Sequence, residues 1–205
     1  TNPPAAAVPQ LGSTVRFGSD HGVTLDWTVV DKTSTSYTLL SSHIVTAGRY
    51  ADDPVFTPWV MWSTSAARTW LNDSFLTATF EAKQRDTLVP GIDNSTVTLP
   101  TSVELQRFFA SDTTRCRATG TDWARNQSGY SDANLEVSGG YSPWWLRDTF
   151  SVDNASCVTT TGAIANRPAT DGTVGLRPLI TLNASKGTMT TVASSGQGTF
   201  IFEVR

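Results

Sequence analysis

The sequence predicts an α+β domain built mainly from antiparallel sheet. Three observations carry this. Short apolar-rich segments with strand character stand at both ends of the chain. Helical spacing is confined to the middle, about residues 63–109. A stretch without periodicity, residues 111–143, separates the helices from the last strands.

The elements follow in order. The opening "TNPPAAAVPQ" is a Pro/Ala run that cannot build a core, so residues 1–13 are expected to be a linker and 14–205 a single domain. "STVRFG", "VTLDWTVVD" and "SYTLLSSHIV" read as three strands of a meander, with a turn at "SDHG". A helix starts at a cap on Ser63 or Thr64, with Ala67, Trp70 and Leu71 at helical spacing. "FEAKQRD" is a second short helix. "NSTVTLPT" is a strand with Val97 and Leu99 on one face. "TSVELQRFF" is a third helix, opened by a Thr101–Glu104 capping box, and its apolar face is expected to join Val103 to Leu105, Phe108 and Phe109. "WWLRDTF", "ASCVTTTGAI" with a turn at Gly162, "VGLRPLITL" and "GTFIFEVR" return to strands.

Composition narrows the function classes. A net charge of −3 lacks the basic surface of a nucleic-acid binder. No stretch approaches the ~18–20 apolar residues of a membrane-spanning helix, so no membrane insertion is expected. Cys116 and Cys157 match no zinc spacing; one disulfide in an exported protein and two buried thiols both stay open. His21 falls in a turn and His43 on a strand. No set of acid, base and nucleophile assembles around them, so a non-catalytic protein is expected.

Seven tryptophans are many for 205 residues. Tryptophan anchors cores, and it also dominates binding surfaces. In "GGYSPWWLRDTF", strand alternation sends Trp144 and Leu146 to one face and Trp145 and Arg147 to the other. The long stretch before it supplies Trp123, Arg125, Asn126, Tyr130 and Asp132, and Tyr141 follows. Aromatic faces beside Asp, Asn and Arg are what sugar rings and their hydroxyls need. "GRYADDPVFTPWVMW" is a second place where exposed aromatics are expected, at Tyr50, Phe56 and Trp59.

The ordered set "DWTVVD", "YTLLSSHIV", "WSTSAARTWLNDSFLTATFEAKQRD", "VTLPTSVELQRFF", "WWLRD", "VTTTGAI" and "VGLRPLI" resembles a bacterial family of domains of unknown function with W-W-L-R and G-x-R-P motifs. Asp148, Leu176 and Leu179 depart from its common residues. The family looks related to the C-type lectin-like fold, which also includes formylglycine-generating enzymes and the variable proteins of retroelements. The resemblance implies a C-type lectin-like domain whose first and last strands pair, with two or three short helices and one long loop face. It implies ligand binding on that face, and structural roles for Trp145, Arg147 and Arg177 beneath it.

The expected function is therefore a non-catalytic extracellular binding module. It would recognise a glycan or a cell-surface protein through Trp123, Arg125, Asn126, Tyr130, Asp132, Tyr141 and Trp144, as part of a secreted or surface-bound adhesin or enzyme. The alternatives are a phage- or retroelement-type receptor-binding variable domain and a structural stalk. No cofactor is expected. "W-L-N-D" at Trp70–Asp73 resembles part of a lectin calcium motif, but there Asn72 and Asp73 are expected to face water or end the helix. A calcium site among Asp122, Asp132, Asn134, Asp153 and Asn154 stays open, since calcium needs ~6–8 converging oxygens.

Overall fold

The structure is a computed structural model that describes residues 8–52, 59–110, 112–192 and 198–205. It is a mixed α+β architecture of two sheets and a few short helices.

The first three strands, β1 (Thr14–Asp20), β2 (Val23–Lys32) and β3 (Ser36–Ser41), form the expected meander. Alternation buries Val15 and Phe17 on β1, and Leu25, Trp27 and Val29 on β2. Val30, on the alternate face, enters the second core, and the pairing with β3 shifts register between Val29 and Asp31. β1 also pairs in parallel with the last strand, β12 (Thr199–Val204), so the first and last strands do join. β5 (Val97–Thr98), β10 (Leu179–Asn183) and β11 (Gly187–Val192) complete a seven-stranded sheet in the order β11-β12-β1-β2-β3-β10-β5. β11 was not anticipated, because "GTMTTV" on an edge alternates only weakly.

A second sheet has the order β4-β9-β6-β7-β8. Its strands are β4 (Thr46–Ala47), β6 (Trp144–Thr149), β7 (Asn154–Val158), β8 (Ile164–Pro168) and β9 (Gly175–Leu176).

The helix predicted near residue 64 begins at α1 (Ala66–Trp70), capped by Ser65, whose Oγ accepts from the Arg68 N–H at 3.0 Å. It runs through a π-turn (Leu71–Phe75) into α2 (Leu76–Thr79). Ala67, Leu71 and Phe75, four apart, are buried along one stripe. α3 (Ala82–Arg85) and α4 (Ser102–Phe109) follow, α4 with the expected capping box. Only Leu105 and Phe109 of α4 are buried, whereas Val103 points to solvent.

One apolar core lies between the two sheets and the 66–79 helix, and includes Trp27, Leu39, Trp145 and Phe75. A second packs the opposite faces of the same strands against α4, and includes Leu40, Trp144, Leu146 and Phe109. Neighbours on a strand therefore enter different cores, and both faces of "WWLR" are interior.

Four expectations are corrected. Residues 10–13 are not a free linker, since the Gly12 N–H donates to the Val29 carbonyl and Lys32 reaches Gln10. The 111–143 stretch is not structureless. It holds α5 (Thr113–Cys116), α6 (Asp122–Asn126) and bridges such as Ala118↔Ser142. His43 lies past β3, exposed, and bonds Thr119 Oγ1. Tyr50 is buried; its hydroxyl donates to the Arg147 carbonyl at 2.7 Å. Trp59 is exposed, and Phe56 lies outside the described residues.

Candidate functional site

The seven residues singled out in the sequence do not converge. Trp144 is fully buried, because β6 runs inside the second sheet with a core on each side. Its indole N–H donates to the Cys116 carbonyl at 3.1 Å, so it is not available to a ligand. Tyr141 lies under the Arg117 guanidinium, 4.5 Å from Cζ to ring centroid. Of the others, Trp123 and Asn126 line one depression on the 121–132 segment and Tyr130 and Asp132 line another, whereas Arg125 lines neither.

The first is a hollow of about 320 Å³ beside α6. Trp123 and Asn126 line it, with His21, Val23 and Leu25 from the β1–β2 hairpin. Trp123 stacks on His21, centroids 3.7 Å apart and 12° from parallel, and is 44% exposed. Arg125 turns outward and pairs with Asp122.

The second is a groove of about 450 Å³ between α1, the segment after β4, and the 130–132 turn. Tyr130 stacks on Trp70, centroids 5.3 Å apart and 16° from parallel. The Tyr130 hydroxyl donates to the Arg49 carbonyl, and Ser131 Oγ accepts from the Arg49 N–H at 2.9 Å. Burial raises the Tyr130 pKa, and the Asp52 charge adds to the rise, so the phenol stays neutral. Arg49, Asp52, Asp73 and Asp132 supply charge around the stacked pair. Arg49 and Asp52 are 3.7 Å apart.

Local chemistry holds this wall in place. A Cβ on Gly129 would sit 1.8 Å from the Ala47 carbonyl oxygen, so only glycine lets the turn lie on β4. The Tyr130 N–H donates to that same carbonyl. Asp132 follows at φ 55°, a left-handed conformation that Asp tolerates.

Trp70, Arg49, Asp52 and Asp73 were not anticipated. One signal was present: Trp70 lies about 100° round the helix from the buried stripe, and so need not be core. Asn72 does not face water. Its amide donates to the Arg68 and Val97 carbonyls, and its Oδ1 accepts from the N–H groups of Thr96 and Val97, which ties the helix to β5. Asp73 is exposed, on the groove side.

Arg147 and Arg177 do serve the interior. Arg147 pairs with Glu104 at 3.2 Å, and Arg177 Nε donates to the Ser41 carbonyl at 2.8 Å. Cys116 and Cys157 are both free and buried, in different cores. Among the described residues no three His, Cys, Asp or Glu side chains converge as a metal site. Asp153 bonds Ser151 and Asn154 instead. No helix among the described residues is long and apolar enough to cross a membrane.

No curated protein and no solved structure matches this chain. A family described as a domain of unknown function (DUF6273) matches residues 35–184, from the start of β3 through β10, and includes both walls of the groove. The chain belongs to that family of domains of unknown function.

Proposed function

We propose that the protein is a non-catalytic, extracellular binding module of C-type lectin-like fold. In this reading it recognises a glycan, as part of a larger secreted or surface-bound bacterial protein. The observation that carries the proposal is the Trp70–Tyr130 stack set among Arg49, Asp52, Asp73 and Asp132. A sugar offers a ring face for the aromatics and hydroxyls for the charged groups, and the groove presents both on a preorganised wall. The pairing of β1 with β12 and the paucity of helix support the fold assignment.

The test is a glycan array, followed by calorimetry on any glycan bound. Trp70→Ala is expected to weaken binding by about tenfold or more. An array with no bound glycan, or unchanged affinity in Trp70→Ala, removes the reading.

A second reading, a receptor-binding variable domain of phage or retroelement type, draws on a different surface. The Val60 N–H donates to the Val152 carbonyl, which brings exposed Trp59 and Met61 beside exposed Phe150 and Val152. An apolar surface of this kind suits a protein partner. Binding to a protein receptor that is lost in Trp59→Ala but kept in Trp70→Ala favours it.

A further inference from the structure

A hollow of about 550 Å³ opens where the first and last strands part, and none of the described residues of 111–143 lines it. β1 and β12 stay paired from Thr14↔Thr199 to Arg16↔Ile201. Beyond that point β1 bulges against β2, between Arg16 and Ser19. Gly18 lies inside the bulge at φ +70°. A Cβ there would meet the Phe80 ring at 2.6 Å, so glycine is needed twice over, for its conformation and for space. Phe17 packs on Phe80 at 5.3 Å and on Phe202 at 5.5 Å, and the three rings form an apolar floor.

The rim is charged. Arg16 and Arg85 face a single carboxylate, Glu81. Arg16 is engaged by Asp26 at 3.2 Å. Arg85 is fixed by one hydrogen bond, from Nη1 to the Phe80 carbonyl at 2.6 Å, and forms no ion pair among the described residues. A guanidinium held in place without a carboxylate is ready for a planar anion. Thr79, at the helix end, also lines the hollow. Its residue is 3% exposed, and its hydroxyl has no partner among the described residues. That hydroxyl is closed to solvent, so Thr79 shapes the wall of the hollow and does not reach into it.

We propose that this hollow binds a small organic carboxylate with an apolar body. The carboxylate meets Arg85. The apolar body lies over the phenylalanine floor and against Ile201. The site is separate from the Trp70–Tyr130 groove and does not depend on the glycan reading.

The test is an NMR titration of the whole chain with two carboxylate probes, N-acetylleucine for a peptide-like acid and N-acetylneuraminic acid for a sugar acid. N-acetylleucinamide, which lacks the charge, is the control. At least one acid is expected to give saturable shifts at Gly18, Ser19 and Thr79 while the amide gives none. Arg85→Gln is expected to weaken that binding about tenfold or more, Glu81→Gln to strengthen it, and Trp70→Ala to leave it unchanged. Failure of both acids to saturate, equal binding of acid and amide, or wild-type affinity in Arg85→Gln overturns the proposal. If Arg85→Gln does not fold, Glu81→Gln decides: tighter binding supports the site and unchanged affinity overturns it.

Discussion

The guanidinium of Arg177 lies over the Trp144 ring, with Cζ 5.0 Å from its centroid and 5.9 Å from that of Phe109. This arginine is interior and is held by stacking and one carbonyl rather than by a carboxylate. Burial pushes its pKa down to about 10, which still leaves it charged at neutral pH. Lysine would keep the charge but lose the flat, weakly hydrated face that suits an aromatic neighbour. Arg177→Lys is therefore expected to cost about 1–3 kcal/mol in urea unfolding. Wild-type stability in that variant would show that the stacking contributes nothing.

Trp144→Ala removes a fully buried indole from the second core. The expected loss is about 3–5 kcal/mol. Glycan affinity, measured where the variant remains folded, is expected to stay at the wild-type level, since Trp144 reaches no surface.

Gly129→Ala forces a methyl group into the Ala47 carbonyl. The turn must lift off β4 and carry Tyr130 away from Trp70. The expected cost is about 1–3 kcal/mol or more, with a loss of groove binding that exceeds the loss of stability. Crystallography of the variant would show a displaced 128–132 turn. An unmoved turn would show that the contact is not limiting.

Asp171 governs part of the acid sensitivity. Burial alone would raise its pKa, but hydrogen bonds from the Thr173 hydroxyl (2.6 Å) and N–H (2.9 Å), with Arg167 at 3.2 Å, outweigh that and hold it low. The folded state thus favours the carboxylate. Its contribution is present above the unfolded value of about 3.9 and is lost as pH falls through the lower, folded value. Asp171→Asn is expected to flatten the stability–pH curve below about pH 4. A curve that keeps its acid slope would assign that slope to other carboxylates.

Cys116 and Cys157 should behave as slow thiols. Burial raises both pKa values, that of Cys157 to about 11. Iodoacetamide at pH 8 is expected to label neither readily in the folded protein and both in denaturant. Failure to label both in denaturant without reductant would reveal a disulfide.

The local elements were legible because their causes are local. The Thr101–Glu104 capping box needs residues three apart, and the first meander needs only alternation and turns. The candidate groove was half legible. Tyr130 and Asp132 stood out as polar-aromatic loop residues, but Trp70 looked like part of a helix's apolar face. Its partner is 60 positions away in sequence, and no periodicity links the two.

Sequence by itself determined the first meander, the helices at 66–79 and 102–109, the Thr101–Glu104 cap and the turn at Gly162, but not α5, α6 or β11, and only the family resemblance implied structural roles for Arg147 and Arg177. Tertiary structure alone decided which aromatics stay in reach of solvent. A strand with core on one face leaves alternate side chains free, but β6 has core on both, so Trp144 and Trp145 are equally interior. Only the folding of the 128–132 turn onto β4 brings Tyr130 to Trp70, because that contact depends on backbone approach at Gly129 and not on any pattern along the chain.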